Sequence, residues 1–146
     1  MTTELAPLDT DVLVYSFFPG PPLYPASARL VDQAQASDAG FSESYAIMTN
    51  PHRVSTPFIA SEALTELANL RALPGVTQLP VPLDIVDRWS ALIAHRFVMG
   101  HDLSDVQSVA ATLGNGVKKI YTFNVKDFTQ FAELEAIEPP PPSRPL

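Results

Sequence analysis

Carboxylates sit in this sequence at four separated places where an apolar run meets a turn or a helix begins. Asp9 and Asp11 interrupt the apolar stretch from Leu5 to Phe18, Glu43 starts an apolar helix, Asp105 lies in the first turn of another, and Asp127 follows the run from Val117 to Phe123. In open α/β sheets the working site lies beyond the carboxyl ends of the strands. Acids at element ends can therefore converge on one point. Carboxylates gathered closely repel, so each shifts its pKa upward or needs a cation to stay ionised. Magnesium or manganese prefers oxygen donors, polarises a phosphoryl oxygen and lowers the pKa of a bound water, which is the chemistry of phosphodiester hydrolysis. No other grouping offers a nucleophile with a base. The chain has no cysteine, and His52, His95 and His101 stand singly, without metal-site spacing.

Each acid also has a purely structural use. Asp105 and Glu43 suit the positive end of a helix, Asp9 and Asp11 can bond nearby backbone in a turn, and Asp127 can cap the turn after it. Glu62 and Glu66, four apart on one helix, read as solvated acids, and Trp89 as core. It is the recurrence at four element ends that favours a shared site.

The elements that must position these acids are legible as follows. Leu5–Phe18 reads as a strand broken by an acidic turn and stopped by Gly20-Pro21-Pro22. Pro25 opens a helix to about Gln35, which Ser37–Gly40 ends. Ser42 caps a short helix that Pro51 stops after Asn50. Helices follow from Ser61 and across Ile85–Ile93, and another from Ser104, where Ser104-Asp105-Val106-Gln107 has a capping-box pattern. Val117–Phe123 reads as a buried strand, Asp127–Phe131 as a single turn, and Leu134–Ile137 as a last strand. Helices alternating with short apolar strands predict a parallel-sheet α/β domain over residues 1–138, with 139–146 as a mobile Pro-rich tail.

Composition constrains the partners. The 146 residues suffice for one domain with its own core, and 46 % hydrophobic with 17 % charged residues is ordinary for a globular protein. No apolar run approaches the roughly 20 residues of a membrane span, and no secretory pattern opens the chain, so a cytoplasmic protein without membrane contact is expected. A net charge of -7, from 16 acidic and 9 basic residues, works against binding a polyanion but suits a hard-cation site and a basic partner.

The residues resemble a known family. Leu8-Asp9-Thr10-Asp11-Val12-Leu13-Val14-Tyr15 looks like the opening of VapC-type PIN-domain toxins, with Asp11 in place of the family's Asn. Glu43-Ser44-Tyr45-Ala46-Ile47-Met48-Thr49-Asn50-Pro51 resembles the helix of its middle acid. Asp105-Val106-Gln107-Ser108-Val109-Ala110-Ala111 is similar to its third-acid helix, and Ile120–Phe128 to its last motif; together the match runs from about Leu8 to Pro139. The resemblance implies a three-layer α/β/α domain with a central parallel sheet and magnesium- or manganese-dependent RNA cleavage. It further implies an antitoxin of the VapB type that blocks the site. It assigns Asp9, Glu43, Asp105 and Asp127 as catalytic, with Asp9, Asp105 and Asp127 holding metal and Asn124, Asp11 and Thr122 assisting.

One departure bears on both activity and assembly. The family's Glu-bearing helix is led by a strand, whereas Ala36-Ser37-Asp38-Ala39-Gly40-Phe41 reads as too polar and short for one. This leaves open a sheet lacking its second strand and a displaced Glu43. A homodimer that closes the vacant position is then expected. Two other readings stand beside the ribonuclease. One is a degenerate domain that only binds an antitoxin-like partner. The other is a haloacid-dehalogenase-like phosphatase with Asp9 as nucleophile and Asp11 as general acid, although the Gly100–Asp105 acidic segment precedes the strand ending at Thr122, the reverse of that family's order.

Overall fold

The computed structural model of the protein describes residues 6–18, 23–31 and 34–140, the His101 side chain excepted. Along the chain run α1 (Thr10–Tyr15), α2 (Tyr24–Leu30), β1 (Ala34–Ser37), α3 (Asp38–Met48), α4 (Ala60–Ala72), β2 (Val76–Leu79) and α5 (Ile85–Ile93). A short 3-10 turn (Gly100–Asp102), α6 (Leu103–Gly114), β3 (Lys119–Tyr121), a second 3-10 turn (Val125–Phe128) and β4 (Glu135–Ile137) complete it.

β1 pairs with β2 and β3 with β4, both parallel. The extended Pro7-Leu8 segment joins the two pairs, Pro7 bridging Gln35 and Leu8 bridging Tyr121, again parallel. The bonds are short: Leu8 N–H to the Gln35 carbonyl at 2.9 Å, Tyr121 N–H to the Pro7 carbonyl at 2.9 Å, and Asp9 N–H to the Tyr121 carbonyl at 2.8 Å. The order is thus β2, β1, Pro7-Leu8, β3, β4, with every strand pointing the same way. Neighbouring β3 side chains enter opposite cores, as alternation along a strand requires. Tyr121 packs with Leu8, Val12, Leu13, Met48 and Leu67, whereas Ile120 packs with Val106, Val109, Phe128 and Phe131. Helices cover both faces, which is the expected α/β/α arrangement.

Several boundaries differ from the sequence reading. The second strand is present: β1 occupies Ala34–Ser37, so the predicted helix from Pro25 ends at Leu30, well before Gln35. Ala34 and Ala36 are almost wholly buried in the α1–α4 core, where small side chains let the strand lie close beneath its helices. With that position filled, no vacancy calls for a second chain, and the basis for the expected homodimer falls away. α3 consequently begins at Asp38, with the Ser37 hydroxyl accepting the Ala39 N–H at 3.2 Å, and not at Ser42. Val12–Val14 are helical, not part of a strand. β2 had no counterpart in the sequence reading. Ser104 lies inside α6 rather than capping it, because the 3-10 turn at Gly100–Asp102 leads straight into the helix. The Gly20-Pro21-Pro22 stop and residues 141–146 of the Pro-rich segment fall outside the described residues, and Pro139 is buried.

α5 rests on α6, setting Trp89, Leu92 and Ile93 against the second core. Arg96 fastens its far end by donating to the Leu92 carbonyl and pairing with Glu133 at 2.8 Å, its guanidinium 5.1 Å from the Phe131 ring centre. Gly114 lets the end of α6 approach the connector before α5, where Asn115 donates to the Pro80 carbonyl at 3.0 Å. A β-carbon at Gly114 would stand 2.5 Å from Pro82 Cγ and 3.0 Å from Arg88 Nε. Gly114→Ala is therefore expected to destabilise the protein by about 1–3 kcal/mol, the usual cost of overpacking. Urea unfolding should show it as a lower midpoint at unchanged slope. An unaltered midpoint would mean that the connector yields freely.

Candidate active site

All strands end on the same side, and the chain leaves each end into a segment that carries an acid or a hydroxyl. Asp9 follows Pro7-Leu8 directly and caps α1, its Oδ1 accepting the Thr10 N–H at 2.9 Å. Thr122 follows β3 and is fully buried, its hydroxyl donating to Asp9 Oδ2 at 3.0 Å. The same hydroxyl oxygen accepts the Asn124 N–H at 3.1 Å, which bends the chain toward the 3-10 turn that bears Asp127. Asp11, one residue into α1, reaches the same loop. Its Oδ2 accepts the Phe123 N–H at 3.0 Å and the Asn124 side-chain amide at 3.1 Å. Glu43 projects from the interior of α3, where Thr10 donates its hydroxyl to Oε2 at 3.0 Å. Asp105 stands in the first turn of α6, favourably placed against that helix's dipole.

These side chains line one cleft of about 1090 Å³. Every predicted site acid is there: Asp9, Asp11, Glu43, Asp105 and Asp127, with Asn124 beside them. Thr122 lies beneath the cleft as their shared hydroxyl. The structure adds three groups that sequence reasoning missed: Thr10, which ties Glu43 to α1, and Asp102 and Glu138, two further carboxylates of the lining. Thr10 stood between two recognised acids, which was a usable signal. Asp102 lay in the Gly100–Asp105 acidic segment, weighed only for the phosphatase reading, and Glu138 had no signal. Glu62 and Glu66 are exposed on α4 and do not line the cleft, as read.

Crowding and burial show in the proton affinities. Burial raises the Asp9 carboxyl to about 7, with a further push from Asp11, against the opposing bonds from Thr122 and Thr10. Asp105 is raised to about 7, by desolvation first and then by the charges of Asp9, Asp127 and Glu43. Asp11 rises to about 6, again through burial, partly offset by the Phe123 N–H. Asp11 Oδ1 is buried without a well-aligned hydrogen-bond partner among the described residues, although the nearby Val12 N–H also lowers the proton affinity of this carboxyl.

An all-oxygen donor set, mutual repulsion and a buried carboxylate oxygen without a well-aligned partner together suit a hard divalent cation. Among the described residues, no three of these side chains are drawn tightly enough together to hold an ion as they stand. They share one cleft rather than one point. The phosphatase reading fits less well: Asp9 is only 8 % exposed, and both its oxygens already accept hydrogen bonds, which is poor provision for a nucleophile.

No protein-family model matches the sequence, and no curated protein matches it. Solved structures do match its fold. VapC20 of Mycobacterium tuberculosis, a toxin that cleaves the sarcin–ricin loop, is 16 % identical, with a TM-score of 0.65 over 90 % of this chain and 99 % of its own. A chain of the VapBC2 complex of Rickettsia felis, bound to a DNA fragment from its promoter, is 15 % identical, with a TM-score of 0.63 over 92 % and 98 %. One of VapBC-1 from nontypeable Haemophilus influenzae, also 15 % identical, gives 0.61 over 92 % and 98 %. The chain has the fold of VapC-type PIN-domain toxins. Because the VapC-type chains are covered almost end to end, the fold is shared as a whole and not merely as a sheet fragment. No helix among the described residues is long and apolar enough to cross a membrane.

The raised acids make the metal-free protein sensitive to pH. Between the ordinary carboxylate value of 3.8 and the folded values of about 6 to 7, the folded chain keeps protons that the unfolded chain has released. Stability from these three groups is complete below about pH 4 and is lost as pH rises through about 6 to 7. In chelator, the melting temperature should fall between about pH 5 and about pH 8, and less steeply for Asp105→Asn. Identical pH slopes in the two proteins would contradict the crowding of Asp105.

Proposed function

We propose that this protein is a magnesium- or manganese-dependent ribonuclease, the toxin of a toxin–antitoxin pair, held in check by a VapB-like antitoxin. The observation that carries the reading is the convergence of acids from four separated segments on one cleft at the carboxyl ends of a parallel sheet. Two further observations agree with it: the shared fold and the cleavage of RNA by VapC20.

Asp9, Asp105 and Asp127 would hold the ion. When bound, it supplies the positive charge that keeps these carboxylates ionised, polarises a phosphoryl oxygen and activates water. The chain's own residues do the rest. Thr122 fixes Asp9, and Asp11 fixes the Phe123-Asn124 backbone, so acids from the two ends of the chain keep a set spacing. Thr10 holds Glu43 by Oε2 against the start of α1, so that the carboxylate stays at the cleft. Asn124, exposed at the rim, offers an amide to the RNA. A basic side chain from the antitoxin would find the same carboxylates and occlude the site. Soluble, cytoplasmic action accords with such a role. The strand before Glu43 is in place, which removes the reason for regarding the domain as degenerate.

Asp105→Asn is expected to abolish RNA cleavage while leaving the fold intact. Manganese at a hundredfold excess over its Kd should stabilise the wild type by about 2.7 kcal/mol and this variant far less, since the unfolded chain cannot gather the ligands. Thermal melts with and without manganese, alongside cleavage of total RNA, decide it. Equal metal shifts in both proteins, or none in either, would mean that these acids are not a metal site.

A further inference from the structure

Among the described residues lining the cleft that holds Asp9 and Asp105, Arg53 is the only arginine or lysine. We infer that Arg53 is a substrate-positioning residue that binds a phosphate of the RNA strand flanking the one to be cut; this rests on the ribonuclease reading above. Its surroundings are built to present it. The Asn50 carbonyl accepts the N–H groups of Arg53 at 3.0 Å and Val54 at 3.1 Å, and the Asn50 side chain accepts that of His52 at 2.9 Å. Pro51, with its fixed φ, stands in the middle of this turn. The far end of the loop is fastened too: Phe58 donates to the Met48 carbonyl at 2.9 Å, and its ring stacks on Phe18, 5.1 Å between centres. The Thr49-Asn50-Pro51 stop of α3 is thus also the device that holds an arginine at the cleft.

The chemistry selects a phosphate. Arg53 is exposed and forms no ion pair with the cleft acids among the described residues, so its donors are available. Ser55 and Thr56, two and three residues on, line the same cleft. A guanidinium matches phosphate oxygens in a bidentate fork. A polyanion entering a cleft of this sign needs positive charge at some distance from the cutting point, and Arg53 is what the lining provides.

The test uses the whole protein and a short fluorescein-labelled single-stranded RNA of mixed sequence, with calcium replacing the catalytic ion, followed by anisotropy over a salt series. Arg53→Ala should weaken binding about tenfold and flatten the plot of log affinity against log salt by about 0.7, the share of one single-strand phosphate. Arg53→Lys, which keeps the charge, should restore the slope. With magnesium, Arg53→Ala should raise KM about tenfold while kcat changes far less. An unchanged salt slope in Arg53→Ala overturns the assignment. It is equally overturned if RNA binding is unaffected and only association with a co-expressed antitoxin weakens, since Arg53 would then serve a partner's carboxylate. Wild type that binds RNA with the expected slope change but never cuts it would sink the nuclease reading and leave the phosphate contact standing. Wild type that does not bind RNA at all overturns both.

Discussion

Asp9 is a carboxylate buried at the end of the sheet's central position, and the bonds that hold it there are the bonds that hold the sheet. Its own N–H pairs with Tyr121, and the preceding residue pairs with Gln35. It cannot move away from Asp11 or Asp105 without unpicking the ladder between the two halves of the fold. A buried carboxylate needs hydrogen bonds and, when ionised, a counter-charge. The structure supplies the first through Thr10 and Thr122, both neutral donors. The second must come from a proton or from an ion.

The distribution of basic residues makes this sharper. Arg88 is spent on Asp84, Arg96 on Glu133 and Lys119 on Glu135, all away from the cleft. Such exposed pairs contribute little stability individually. None of these three basic residues lines the cleft, where Arg53 is the only arginine or lysine among the described residues. Part of the net charge of -7 is therefore the site itself.

How much of this could be read from the sequence depended on which physical signal each part leaves. The acids stood out by recurring at four element ends, although each alone has a structural use, and the fold brings them to one cleft. α4, α5 and α6 were legible from apolar residues at helical spacing, and β3 and β4 from short apolar runs. Val12-Leu13-Val14 was read as strand because an unbroken apolar run carries no period; the Asp9 cap starts a helix there instead. β1, Ala-Gln-Ala-Ser, has none of the branched residues that mark strands. Backbone pairing on both sides and small side chains under α1–α4 make it a strand, and neither is a local property. The shift of the α3 start from Ser42 to Ser37 followed from that omission and moved Glu43 from a helix end to its interior. Arg53 left no mark at all, since a lone arginine in a polar loop has no pattern to break.

The replacement of the resembled family's Asn by Asp11 shows what the site demands. An asparagine there could offer one oxygen to the Phe123 N–H and the Asn124 amide, and its own amide group would occupy the place of Oδ1. Asp11 fulfils the first task with Oδ2. Its other oxygen is buried without a well-aligned partner among the described residues, and its charge raises the proton affinity of Asp9. For holding the loop alone, the neutral residue would be the better choice. The extra acid deepens the negative field at a place the backbone cannot relax, so the folded state of this chain depends more strongly on a proton or a cation than the resembled pattern requires.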